Sequence, residues 1–294
     1  MVIVTKKMID LVGDIMKHCK HITKRPNYLS EASLGTKNDF IEMGTLSNFK
    51  RFMMEYKEHR NDKYNSSMKE GRSSWSGTDD YDSYLKLLDN GDINVIKSIK
   101  VATDKKVAEI SKKYEEELTN YRFDVSGQFF DIGLVLSGVP ECWLQPEYTP
   151  IEKLQVELII NGTFASNVNK NDVISGASRI LAIAKILETN DVQVKIKIVS
   201  CIKGYTSARS RSLFVAVDVK DYDEPINYKK CSALLSPTFL RRGVFKVMEV
   251  LSMENKKKLK GSYGKAVSVS NFIELQDNHQ IDNLETKLFT RSTK

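Results

Sequence analysis

Apolar and polar positions change rhythm twice along the chain. In "FKRFMMEYKEHR", Phe49, Phe52, Met53 and Tyr56 recur every three to four positions, as on one face of a helix. Residues 1–70 as a whole read as helical and heavily charged. The next stretch, "NDKYNSSMKEGRSSWSGTDDYDSY", is rich in Ser, Gly, Asn and Asp and reads as loop. Thr78 near its end is an N-cap candidate and Gly91 follows a helix end, which predicts a short helix over 79–89. A long charged helix over 92–120 follows, with Val107, Ile110, Tyr114 and Leu118 on one stripe.

"GQFFDIGLVLSGVPECW" is apolar and punctuated by Gly133, Gly138 and Pro140, predicting a short helix and a sharp turn. From Leu154 the period becomes two. "LQVELII" alternates Leu154, Val156, Leu158 and Ile160, and the loop "NGTFASNVNKND" leads to a helix carrying Val173, Ala177, Ile180, Leu181, Ala184 and Leu187. "VQVKIKIVSCI" then alternates again, "SLFVAVDV" reads as a third strand, and "AVSVSNFIEL" as a last one. The tail from Asp277 is polar and expected to fray. The fold class is α+β or α/β, a mixed sheet core with flanking helices preceded by a helical N-terminal region. The division is 1–122 helical and charged, 123–275 core and 276–294 tail, as one core with an attachment.

Composition narrows this picture. At 294 residues, with 41% hydrophobic and 28% charged, the chain is long and apolar enough to bury a core. Cys19, Cys142, Cys201 and Cys231 never form a CxxC pair, which argues against a disulfide framework or structural zinc. "MVIVTKKMIDLVGDIMKHCKH" is broken by charges and is no signal peptide, and no apolar run would span a bilayer. The expectation is a soluble, cytoplasmic protein without a membrane partner.

No P-loop, dinucleotide fingerprint or nucleophile elbow is present. His18 and His21 share a helix face, yet zinc would need two more ligands. Asp79 and Asp80 sit at a helix start, where the macrodipole accounts for them. The reading is therefore of a protein that is not an enzyme and takes no cofactor.

Charge changes the picture most. There are 45 Lys and Arg against 38 Asp and Glu, net +7, and the excess clusters. Residues 192–211 hold Lys195, Lys197, Lys203, Arg209 and Arg211 with no acid, and Tyr205 stands among them. Alternate lysines on a strand beside an aromatic suit a single strand of nucleic acid, cations on phosphates and rings on bases. The second cluster holds Arg241, Arg242, Lys246, Lys256, Lys257, Lys258, Lys260 and Lys265. In "LSPTFLRRGVFKVMEVL", Ser236 can cap a helix whose buried stripe is Leu240, Val244, Val247, Met248 and Leu251. That spacing turns Arg242 and Lys246 outward. Two arginines in the first turns oppose the helix dipole, so they mark an anionic partner, a carboxylate neighbour or a plain solvated edge.

Two resemblances follow from quoted segments. "SSWSGTDDYDSYLKLLDNGD", "LSGVPECW" and "SPTFLRRGVFKVME" resemble signatures of uncharacterised bacteriophage proteins, over about residues 70–251. Phage single-stranded-DNA-binding proteins that serve as RNA polymerase cofactors are similar in size and charge. The strand, Ser/Thr-bearing loop and helix around "NGTFASN" are similar to a von Willebrand factor A core. Asn161 stands where that family's metal motif has Asp, and Thr163 and Ala165 where it has serines, so the likeness implies the fold without the metal site.

The leading expectation is a non-enzymatic phage protein binding single-stranded DNA in replication or transcription. Its site would be Lys195, Lys197, Lys203, Tyr205, Arg209, Arg211, Arg241, Arg242, Lys246, Lys256, Lys257 and Lys258, with Trp75 or Tyr263 as further stacking rings. An RNA polymerase or a host protein would be a further partner, and the protein a homo-oligomer. The alternative is a protein-interaction module, a host-defence inhibitor or assembly adaptor, docking through Phe49, Phe52, Met53 and Tyr56. A nucleotide-processing enzyme built on "NGTFASN" ranks third.

Overall fold

In "KNDFIEMGT" Phe40 and Glu42 alternate with Ile41 and Met43, and the segment is a strand, not the helix expected of residues 1–70. The structure, a computed structural model, describes residues 20–22, 37–58, 66–71, 76–114, 121–124, 129–140, 142–146, 155–165, 168–190, 192–204, 211–254, 263, 265–267, 269 and 272–289. Strand β1 (Lys20–Ile22) pairs antiparallel with β2 (Lys37–Thr45), and Thr45 caps helix α1 (Leu46–Glu55). Helix α1 buries Phe49, Phe52 and Met53, and Tyr56 is buried just beyond it.

The short helix is α2 (Tyr81–Asn90), with Gly91 in the left-handed region at its end. Its cap is Asp80, which accepts from the Ser83 amide; Thr78 is engaged elsewhere. Helix α3 (Ile93–Tyr114) starts at Asp92, whose carboxylate accepts from the Asn94 and Val95 amides. Strands β3 (Tyr121–Asp124), β4 (Phe129–Phe130) and β5 (Trp143–Pro146) make a small antiparallel sheet that the sequence did not announce, and it carries the short helix that "GQFFDIGLVLSGVPECW" predicted, the five-residue α4 (Ile132–Leu136).

The period-two segments form the main sheet. Strand β6 (Gln155–Asn161) leads through helix α5 (Lys170–Thr189) to the parallel strand β7 (Gln193–Lys203), and β8 (Arg211–Lys220) returns antiparallel. The order is β1-β2-β8-β7-β6-β10, with β2 parallel to β8 and β10 (Ile273–Glu274) parallel to β6. Strand β9 (Lys265–Ala266) pairs with the end of β7, past the point where β6 stops. The fold is thus a mixed sheet with flanking helices.

Helices α5 and α6 (Tyr228–Leu234), a π-helical turn Phe239–Val244 and α7 (Phe245–Glu254) supply much of the core. Burying one such Leu, Ile or Phe side chain contributes about 1.5–3 kcal/mol. One apolar cluster runs from Ile41 to Ile281 and includes buried side chains from both 1–122 and 123–275. Gly176 lets α5 approach the chain after β10, since a Cβ there would lie 1.9 Å from the Leu275 carbonyl oxygen. The polar tail is also more ordered than expected. Residues Asn278–Phe289 form α8, with Ile281 fully buried and Arg179 of α5 paired to Asp282 and Glu285.

Candidate nucleic-acid interface

The two arginines point inward. Helix begins at Pro237 and widens into the π turn, every residue of which is buried, so no outward face exists for Arg242. Ser236 does not cap it; its hydroxyl donates back to the Ala233 carbonyl. The Arg242 guanidinium is fully buried against residues 67–69 and 76–78. Nε donates to Thr78 Oγ1 (3.2 Å), Nη1 to the carbonyls of Ser67 (2.6 Å) and Lys69 (2.8 Å), and Nη2 to Ser76 Oγ (2.9 Å) and the Thr78 carbonyl (2.7 Å). All five N–H donors of a guanidinium are thereby used. Arg241 is buried as well, which lowers its pKa. Lys246 is fully buried, donating to the Lys57 carbonyl (3.4 Å) with its ammonium 5.6 Å from the centre of the Tyr81 ring. The outward Arg242–Lys246 face is corrected: this is an interior polar network.

Glu249 completes that network. Oε1 accepts from the Ser67 amide (3.1 Å) and the Tyr263 hydroxyl (2.5 Å), and Oε2 from the Ser67 hydroxyl (2.5 Å). Burial raises its pKa, while the Ser67 and Tyr263 hydrogen bonds act in the opposite sense. Tyr263 also stacks on Phe245, so this ring is committed to the protein and not to a base. The buried role of Glu249 was not legible in the sequence, because it falls among apolar residues in a stretch, 246–251, that is buried throughout.

Along β7, alternation places Lys195, Lys197, Val199, Cys201 and Lys203 on the face opposite helix α5. At the N-terminal end neighbouring strands bring acids that the local sequence lacks. Lys197 lies 2.7 Å from Glu42 of β2, 3.6 Å from Asp218 of β8 and 3.9 Å from Glu157 of β6. Lys195 pairs with Asp218 (3.4 Å) and Asp221 (3.2 Å). The acid-free count over 192–211 is therefore not the charge of the surface these two lysines occupy. Lys220, also missed, is fully buried, donating to the carbonyls of Val194 (2.7 Å) and Asp221 (2.9 Å) and paired with Glu188.

The C-terminal end of β7 differs. Lys203 is exposed, and its partner across the ladder is the exposed Lys265 of β9. In the same row Lys203 faces Ser212 of β8, beside Arg211, which is the register partner of Lys37 in β2. Four adjacent strands thus each bring a basic residue to one end of the sheet. The segments 203–211 and 255–265 both meet the sheet here; the first has three cations, the second five lysines, and neither has an acid. Tyr205, Arg209, Lys256, Lys257 and Lys258, together with Trp75, lie outside the described residues.

Asn161 and Thr163 of "NGTFASN" are built into the fold, while Ser166 and Asn167 lie outside the described residues. Asn161 Oδ1 accepts from the Thr163 amide (2.9 Å), and its Nδ2 donates to Glu274 (2.7 Å) and the Val267 carbonyl (3.3 Å). Thr163 Oγ1 accepts from the Cys201 amide (2.6 Å), and Asn169 caps α5. Among the described residues no group of three His, Cys, Asp or Glu side chains could hold a metal ion, and no helix is long and apolar enough to cross a membrane. Cys201 and Cys231 are buried, their thiol pKa values pushed up to about 12 by burial.

Residues 29–287 match the model of a family described as a domain of unknown function, DUF7192. The chain belongs to the DUF7192 family. No curated protein and no solved structure matches it. The DUF7192 span takes in β2, the main core, the Arg242 network and both basic segments, and leaves β1 before it.

Proposed function

We propose that the protein is a non-enzymatic nucleic-acid-binding protein that holds single-stranded DNA at the end of the sheet where Lys203 meets Lys265. One observation carries this reading: two acid-free basic segments, far apart in sequence, flank neighbouring strands at a point where both lysines are exposed. A cationic rim, with Tyr205 in the sequence of one of the two basic segments, suits phosphates and bases of a single strand. The likeness to bacteriophage proteins gives the setting proposed with it, phage replication or transcription in the host cytoplasm. An RNA polymerase or host protein is a second partner in that setting, and the protein acts there as a homo-oligomer.

Fluorescence anisotropy with labelled single- and double-stranded oligonucleotides at two salt concentrations tests the proposal. Salt-sensitive binding that prefers single strands is expected; no binding at low salt would end this reading.

The protein-interaction reading loses its first surface, because Phe49, Phe52, Met53 and Tyr56 are core residues. A different surface favours it as the second reading: Ile132 and Leu136 of α4 are 65% and 83% exposed. Leu136→Asp should then abolish capture of a host protein while leaving DNA affinity unchanged.

A further inference from the structure

Gln280 does at the edge of the main sheet what a further strand would do. Strand β10 ends the strand order, paired parallel with β6 through Ile273 and Ile160. Successive residues of a strand turn their main-chain groups to alternate sides, so Phe272 and Glu274 present theirs away from β6. All four of those groups are taken. The Phe272 amide donates to the Val269 carbonyl (2.8 Å), and the Glu274 carbonyl accepts from the Asp277 amide (2.9 Å). Both of these are local turns. The other two belong to one side chain: Gln280 Nε2 donates to the Phe272 carbonyl (2.7 Å), and its Oε1 accepts from the Glu274 amide (2.6 Å). The carbonyl of one residue and the amide of the next but one are the pair that a parallel neighbour takes. The Gln280 carboxamide is therefore a single peptide unit set against the edge. Helix α8 holds it there. The Asp277 carboxylate accepts from the Gln280 main-chain amide (3.1 Å), Ile281 is fully buried, and Arg179 pairs with Asp282 and Glu285.

We infer that Gln280 makes an autoinhibitory contact that keeps β10 from pairing with a second copy of this chain. The occupant follows from the groups that Gln280 would release. Each copy would offer the Phe272 carbonyl, an acceptor, and the Glu274 amide, a donor. Two identical edges related by a two-fold axis run antiparallel. With that axis at Ile273, the Glu274 amide of each copy meets the Phe272 carbonyl of the other, so every released group finds a partner. An edge whose free groups complement themselves recruits its own kind, and a capped edge does not. Helix α8 stands in the way, so pairing needs it to swing off β10 while the two local turns stay. The inference does not rest on the nucleic-acid reading. The homo-oligomer proposed with that reading must use another surface.

Gln280→Met keeps the length and apolar stem of the side chain and removes both hydrogen bonds. Wild type and variant would be compared by sedimentation velocity over a concentration series, and by amide hydrogen exchange read by mass spectrometry at its two ends. Loss of two hydrogen bonds should raise the open population about thirty-fold. Both copies must open, so self-association should strengthen by about the square of that factor. At low concentration, exchange in 272–275 should be faster than in wild type. At high concentration it should slow again, as the second copy covers the edge. Wild type should show no concentration dependence of exchange in 272–275. Gln280→Glu keeps an acceptor for the Glu274 amide and loses the donor to the Phe272 carbonyl, so it should fall between the two. An unchanged far-ultraviolet circular dichroism spectrum guards against misfolding of either variant. Fast exchange without any return of protection at high concentration overturns the inference, as does exchange equal to wild type at every concentration.

Discussion

One face of strand β7 carries a lysine near each end, and the two ends behave differently. Lys197 is enclosed by Glu42, Asp218 and Glu157, each from a different strand. Lys203, roughly 20 Å further along the same face, stands beside another lysine instead. Cross-strand partners, not neighbours in the chain, decide whether a cation is spent inside the fold or left to meet a ligand. Arg242 takes this further, since its five donors are all satisfied by Ser67, Lys69, Ser76 and Thr78 and it has nothing left for a phosphate. A count of basic residues overstates the binding surface unless the interior ones are set aside.

The sharpest break to this comparison is Arg242→Ala. Leaving the Ser67, Lys69 and Thr78 carbonyls without their donor should cost on the order of 3–5 kcal/mol, read from urea unfolding. A cost under about 1 kcal/mol would show that the guanidinium is not what holds residues 67–69 and 76–78. Lys197→Met comes next. It removes the cation from among three carboxylates and should cost about 1–2 kcal/mol while affinity for labelled single-stranded dT20 stays unchanged. A loss of affinity equal to that of Lys203→Ala would erase the distinction between the two ends.

The double variant Lys203→Ala/Lys265→Ala should change stability by less than about 0.5 kcal/mol, as exposed positions do, yet lower the log–log salt slope of dT20 binding by about 1.4. The smallest effect concerns Glu249 and pH. Its folded pKa is raised, chiefly by burial, so the folded state keeps this proton to higher pH than the unfolded chain. The stability it contributes is full below an unfolded value of about 4.3 and falls as pH rises through the folded value. The difference in urea midpoint between wild type and Glu249→Gln should therefore shrink from pH 4 toward pH 7; growth over that range would reverse the assignment.

Strands β6, β7 and β8 and helix α5 were legible because alternation and helical spacing there run uninterrupted. Strand β2 was not, because its Phe40–Met43 alternation is short and sits among charged residues beside a clear helical stripe. Thr78 looked like a cap and is instead a ligand of Arg242, while Asp80 two positions on caps the helix. No local pattern announces such an exchange, since the demand comes from a residue far along the chain. The helix after Pro237 was legible as a helix but not in its orientation: helical spacing marks an apolar stripe, and here the opposite side is covered as well. The meeting of Lys203 with Lys265 was equally hidden, because it depends on the pairing of β9, a two-residue strand.

The pairing of β2 with β8 joins residues 37–45 to residues 211–220. During synthesis the first of these segments leaves the ribosome long before the second exists. The β6–α5–β7–β8 unit can close from near neighbours, whereas Phe40, Ile41 and Met43 must wait with their strand edge open. Such an edge is a template for a second chain, so the interval before residue 220 emerges is when aggregation competes with folding. Slowing translation across that interval should lower the soluble yield, and supplying a chaperone should restore it.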